Sequence, residues 1–153
     1  AEGVGGMRFA PEAVCNRAHA VTMLWRLCGS PAAENGCPFG DVPRGAWYAE
    51  AVTWAAGKGI TAGIAGEVFA PDAPCTRAQI VTMLWRAAGT PQAEWAAHDF
   101  IDVPGVSWFA DAVEWCWCEG IAVGCSVTEF MPGKECTRAE LVEMLWRVKK
   151  YIR

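Results

Sequence analysis

Thr76-Arg77-Ala78-Gln79-Ile80-Val81-Thr82-Met83-Leu84-Trp85-Arg86 decides the fold. Thr76 with Gln79 three residues later is a pattern that starts helices. The hydroxyl and the amide side chain each satisfy a backbone N–H group that a first helical turn leaves open. Ile80, Val81, Leu84 and Trp85 then fall on one helical face, and Gly89-Thr90-Pro91 stops the run. The block occurs three times. Cys75-Thr76-Arg77-Ala78 matches Cys15-Asn16-Arg17-Ala18 and Cys136-Thr137-Arg138-Ala139, at spacings of 60 and 61 residues. Val81 to Arg86 likewise matches Val21-Thr22-Met23-Leu24-Trp25-Arg26 and Val142-Glu143-Met144-Leu145-Trp146-Arg147. Thr137 with Glu140 repeats the cap. Asn16 keeps a capping oxygen, but His19 stands where Gln79 and Glu140 reach back.

A second block surrounds the first. Phe39-Gly40-Asp41-Val42-Pro43, with Trp47, Ala51, Val52 and Trp54, returns as Phe100-Ile101-Asp102-Val103-Pro104 with Trp108, Ala112, Val113 and Trp115. Gly59-Ile60 and Gly63 return as Gly120-Ile121 and Gly124, and Phe9-Ala10-Pro11 as Phe69-Ala70-Pro71 and Phe130-Met131-Pro132. The apolar spacing predicts helices from about Trp47 to Lys58 and from about Trp108 to Glu119, each ended by a left-handed glycine. Ala1 aligns with Thr61 and Gly3 with Gly63, and the second block has no earlier copy. The expected division is therefore the second half of one repeat (1–34) and two full repeats (35–95 and 96–153), together one compact, predominantly helical domain. The fold class is all-α, built from helix-loop-helix repeats.

Composition narrows the function. The 153 residues are 53% hydrophobic and 20% charged, which opposes disorder. A net charge of −4 argues against a nucleic-acid binder. No apolar run reaches the roughly 18–20 residues of a membrane span. No charged and apolar leader opens the chain, so any secretion signal is expected to have been removed or to lie upstream. Of the nine tryptophans, seven occupy repeated positions; Trp95 and Trp117 do not.

The ordered set F-x-D-V-P-x-x-x-W, A-V-x-W, G-I-x-x-G, F-x-P and T-R-A-E resembles the bacterial S-layer homology repeat over nearly the whole chain. The resemblance implies three modules folded as a pseudo-threefold helical spindle with clefts between its prongs, the first module here being incomplete. It also implies non-covalent anchoring of an extracellular protein to secondary polysaccharides of a bacterial cell wall, which often carry a pyruvate ketal. The arginine of the T-R-A-E motif would contact that ligand, here Arg77 and Arg138, with Arg17 in the variant Asn16-Arg17-Ala18-His19. No cofactor is implied.

The residues support part of this. An arginine at the first helical position opposes the helix dipole, and the mismatch occurs three times. Each guanidinium should answer to an anion, whose source is either a ligand carboxylate, aided by free helix N–H groups, or an internal partner such as Asp41 or Asp102. Asp41 and Asp102 can instead hold a turn through backbone N–H groups, or touch sugar. Trp47 and Trp108 are placed to stack on a sugar face. Trp25, Trp54, Trp85, Trp115 and Trp146 lie on apolar stripes and read as core. Gly63 and Gly124 permit either close ligand approach or a left-handed turn.

Eight cysteines permit disulfides in an oxidising compartment. Cys15, Cys75 and Cys136 share one repeated position and read as small buried hydrophobes. Cys28 with Cys37 is the favoured bridge, and Cys125 with Cys136 or Cys118 a weaker one. Cys116, Cys118 and Cys125 lack the spacing of a structural zinc site. No catalytic motif occurs with its required elements, so the chain is expected not to be an enzyme. The alternative function is an extracellular assembly protein that uses the same fold for protein partners. The incomplete first repeat is expected to leave Val21, Leu24 and Trp25 partly uncovered, to be covered by a second chain or an upstream fragment.

Overall fold

The computed structural model describes residues 9–94 and 98–152. The Ala1 and Gly3 alignments and Trp95 lie outside the described residues. Five helices run in order: α1 (Arg17–Leu27), α2 (Ala49–Gly57), α3 (Arg77–Ala87), α4 (Ala110–Cys118) and α5 (Arg138–Val148), followed by a 3₁₀ turn at Lys149–Tyr151. Among the described residues there is no strand, only isolated bridges such as Val14 with Thr137, Asn16 with Pro74 and Thr76 with Glu135. The all-α class holds.

Each cap forms as its sequence dictates. Thr76 and Gln79 make a reciprocal capping box at α3, and Thr137 and Glu140 make one at α5. At α1 the Asn16 side chain accepts from His19 N at 2.8 Å, without the returning arm. Gly59 and Gly120 end α2 and α4 in the left-handed region, with φ of +70° and +67°. The helices α2 and α4 start two residues later than the spacing predicts. Trp47 and Trp108 therefore stand in the turn before each helix rather than within it.

A ring of backbone hydrogen bonds sets the pseudo-threefold arrangement. Cys15 N donates to Cys136 O, Cys75 N to Cys15 O and Cys136 N to Cys75 O, each at 2.8 Å. All three cysteines are fully buried. A small side chain suits an axis where three backbones converge, and burial, outweighing the nearby Arg138 and Arg17, lifts the thiols of Cys15 and Cys75 to about 11 and about 12. Two residues on, Arg17 N donates to Ala73 O, Arg77 N to Lys134 O and Arg138 N to Ala13 O.

The helices pack as α1 on α2 and α3 on α4. The second helices α1 and α3 thus rest against the first helix of the following repeat. This pairing overturns the expected bare patch: Val21 and Leu24 are buried, and Trp25 is half-buried with its Nε1 donating to Pro31 O at 2.8 Å. Trp85 does the same to Pro91 O, while Trp54 and Trp115 are buried. Trp146 breaks the pattern expected of it and is 77% exposed, because no following first helix packs on α5 among the described residues. Trp117, unassigned by the repeat, packs edge-on against Phe100.

No disulfide joins the cysteines among the described residues. The expected Cys28–Cys37 bridge is not formed, nor is one from Cys125. Cys28 caps the end of α1 and packs against the core, whereas Cys37 is exposed with its Sγ near Phe39 O.

Candidate functional site

The three motif arginines are each only 4% exposed. Their position follows from the caps: the first helical residue of each second helix is aimed across the repeat boundary. Arg17 Nε donates to Phe69 O at 2.7 Å, Arg77 Nε to Phe130 O at 3.0 Å and Arg138 Nε to Phe9 O at 3.0 Å. Each guanidinium also covers the ring of the same phenylalanine, at 4.7, 4.5 and 5.0 Å from the centroids. The planar cation suits both contacts at once. Phe69 and Phe130 belong to the F-x-P motif, which thus serves as the seat for an arginine of the neighbouring repeat.

Asp41 and Asp102 lock those seats from the other side. Asp41 accepts from Phe69 N and Ala70 N at 2.8 and 2.7 Å, and Asp102 from Phe130 N and Met131 N at 2.9 and 2.7 Å. The clamp holds Ala70 and Met131 at φ of +56° and +59°, a region costly for side-chain-bearing residues. The Phe69 N–H leads the interactions that hold the Asp41 carboxyl below the usual range. Neither aspartate forms an ion pair with a motif arginine among the described residues. Both carboxylates are turned to the backbone.

Two clefts lie between repeats in equivalent places. The first, about 340 Å³, is lined by Arg17, Thr61, Gly63, Gln79, Thr82, Arg86 and Trp108 among others. The second, about 290 Å³, is lined by Arg77, Gly124, Lys134, Glu140, Glu143 and Arg147 among others. Arg17, Gly63 and Trp108 are therefore brought together, as are Arg77 and Gly124. Trp47 sits beside His19, ring centroids 4.9 Å apart, at the place by α1 that Trp108 holds by α3. Both tryptophans are well exposed, at 56% and 62%.

The glycines answer to the protein itself. A Cβ on Gly63 would stand 2.5 Å from Val68 O and 2.7 Å from the Phe39 ring, and its φ is +79°. A Cβ on Gly124 would meet the Phe100 ring and, at 2.5 Å, Ser126 O. Gly124 is not left-handed, so close packing alone requires it. The helix N–H groups expected to serve an anion are also taken: Arg17 N and Ala18 N donate to Ala73 O and Pro71 O, and His19 N to Asn16. Charge in the clefts therefore comes from side chains.

The clefts differ in how those charges are met. Arg77 Nη2 donates to Val123 O, and its Nη1 lies 3.7 Å from Glu140 Oε1, which Lys134 also approaches at 3.3 Å. Arg147 pairs with Glu143. In the first cleft Arg17 Nη2 and the Thr82 hydroxyl are buried with no partner among the described residues, and Arg86 Nη1 donates to Ile60 O at 3.3 Å. Gln79 and Thr82 occupy the places of Glu140 and Glu143. The sequence reading missed Arg86, Arg147 and the residues facing the arginines; the repeated Arg closing Val-x-Met-Leu-Trp-Arg was the available signal. Among the described residues no cluster of three or more His, Cys, Asp or Glu could hold a metal.

The fold and these motifs define an S-layer homology repeat: residues 38–81 match the model of the S-layer homology domain. The resemblance read from the motifs is thereby borne out. The chain is 33% identical over 114 residues to a cell surface protein of Thermoanaerobacter kivui, covering 72% of this chain and 15% of that protein. It is 25% identical over 149 residues to an S-layer protein of Bacillus thuringiensis subsp. finitimus, covering 93% and 18%. An endoglucanase of Bacillus sp. (strain KSM-635) is 26% identical over 119 residues, covering 78% and 12%. The chain thus spans less than a fifth of each of these relatives. Family and relatives together support a cell-surface anchoring role. No helix among the described residues is long and apolar enough to cross a membrane.

Proposed function

We propose that the chain is a non-catalytic module that anchors an extracellular protein to an anionic polysaccharide of a bacterial cell wall, its units being 1–34, 35–95 and 96–153 within one domain. The observation that carries this is the Arg17 guanidinium: buried, without a partner at Nη2 among the described residues, and lining a cleft beside an exposed Trp108. A buried donor without an acceptor costs free energy that a ligand carboxylate would recover. A sugar bearing a pyruvate ketal offers that carboxylate, with an apolar ring face for Trp108. Cleft volume suits one such residue of a chain. The endoglucanase relative shares only 12% of its length with this chain, in keeping with a shared module rather than shared chemistry.

Pelleting with purified cell-wall sacculi tests the proposal. The protein should sediment with intact sacculi and remain in solution with sacculi stripped of their secondary polysaccharide. Equal sedimentation with both would overturn it. Trp108→Ala should reduce pelleting without loss of fold, since the side chain is largely exposed.

A further inference from the structure

The joints between repeats are built from three recurring parts: a second helix, a first helix packed on it, and an F-x-P turn. In one joint α2 packs on α1, Arg17 is seated on the Phe69 turn, and Asp41 clamps Phe69 N and Ala70 N. In another α4 packs on α3, Arg77 is seated on the Phe130 turn, and Asp102 clamps Phe130 N and Met131 N. The third joint brings α5 to the Phe9 turn: Arg138 Nε donates to Phe9 O, and Ala139 N to Pro11 O, each at 3.0 Å. Ala10 takes the same left-handed conformation as Ala70 and Met131, with φ of +51°. Among the described residues, however, no carboxylate is bonded to Phe9 N or Ala10 N, and no first helix packs on α5.

Burial records the difference. Ala18 and Val21 on α1, and Ala78 and Val81 on α3, are buried, whereas Ala139 and Val142 on α5 are only half-buried. Trp25 and Trp85 are half-buried and Trp146 is largely exposed. Ala139, Val142 and Trp146 stand at i, i+3 and i+7, so they form one stripe along α5. Phe69 and Phe130 are fully buried, and Phe9 is half-buried. In the other two joints a single stretch supplies both the clamp and the covering helix, Asp41 with α2 and Asp102 with α4. The α5 stripe and the Phe9 turn therefore point separately to the same kind of occupant.

We propose that the α5 stripe and the Phe9–Ala10 turn form a docking surface for the first half of another S-layer homology repeat. The occupant is an F-x-D-V-P turn running into an A-V-x-W helix, carried by a partner polypeptide. Its carboxylate accepts from Phe9 N and Ala10 N while its helix covers Ala139, Val142 and Trp146. A second copy of this chain fits poorly. The described residues hold three second helices and two first helices, so a copy gives up α2 or α4 only by uncovering its own α1 or α3. Neither Val142 nor Trp146 lines the two described clefts, so this surface is separate from them.

The probe is a synthetic peptide of residues 38–61, which carries Asp41, Val52 and Trp54 and no cysteine. It is titrated calorimetrically into the full chain and, unlabelled, into ¹⁵N-labelled protein. About one equivalent should bind, and the Trp146 indole and Ala10 amide signals should both shift. Trp146→Asp, at an exposed position, should weaken binding by about tenfold or more with the circular dichroism unchanged. Asp41→Ala in the peptide should weaken it by about tenfold and cancel the Ala10 shift, while the Trp146 shift persists at saturation. No binding would overturn the proposal. So would binding that leaves Trp146 and Ala10 unmoved, since the peptide would then only have displaced α2. A chain that is dimeric by light scattering and becomes monomeric with Trp146→Asp would overturn it in favour of a second copy.

Discussion

Arg17 and Phe69 are joined twice, by a 2.7 Å hydrogen bond from Nε to the carbonyl oxygen and by the guanidinium lying 4.7 Å from the ring centroid. The same double contact recurs between Arg77 and Phe130 and between Arg138 and Phe9. Each arginine therefore ties its repeat to another, and only the outer nitrogens remain for any other partner. Arg17→Met keeps much of the aliphatic stem but leaves the Phe69 carbonyl without its donor. It should lower stability by about 1–3 kcal/mol, read from the urea midpoint at unchanged slope.

The Asp41 clamp predicts a second loss. Asp41→Ala frees Phe69 N and Ala70 N while Ala70 remains in the left-handed region. A destabilisation of about 1–3 kcal/mol is expected, with Asp102→Ala behaving alike in the next repeat. Asp41→Asn, which keeps an acceptor, should lose less.

Acid should weaken the fold in two stages. His19 is held below its ordinary value by burial first, and further by Arg138, with Asp72 opposing. The unfolded chain then binds more protons than the folded one, so stability falls as pH drops from the unfolded value near 6.5 towards the lower folded one. Asp41 is held down chiefly by the Phe69 N–H; burial of Glu140 acts upward but is outweighed by Thr137 N, Lys134 and Arg77. Their stabilisation is present above the unfolded carboxyl values near 4 and is lost as pH falls through the folded ones. Urea midpoints from pH 8 to 3 should show both stages, and His19→Gln should flatten the first alone.

Thiol titration should separate the cysteines by depth. Cys15, Cys75, Cys116 and Cys136 are buried, and burial raises each thiol. They should resist a thiol reagent until the chain unfolds, while exposed Cys37 and Cys125 react at once. Denaturant should reveal eight free thiols; six or fewer would restore a disulfide.

Gly63→Ala should destabilise by more than about 1 kcal/mol, because the added methyl meets Val68 O and Phe39 at a positive φ.

Helices α3 and α5 were legible because cap, apolar stripe and stop agree within one short segment. The arginines were legible as an electrostatic mismatch at the helix start. Their seats on Phe69 and Phe130 were not, since those contacts bridge 52 and 53 residues and depend on how repeats associate. The partner of α1 was misread for the same reason: periodicity marks the apolar face of a helix but not the helix that covers it. Cys28 and Cys37 show the limit of loop length as a guide, because side-chain direction decides a bridge.

The most direct test follows the arginine side-chain nitrogens by NMR while the ketal glycoside is titrated into ¹⁵N-arginine-labelled protein. The Arg17 and Arg86 signals should move in a saturable manner, and the unketalised glycoside should leave them in place. Saturation of the ketal with no change at Arg17 would contradict the account.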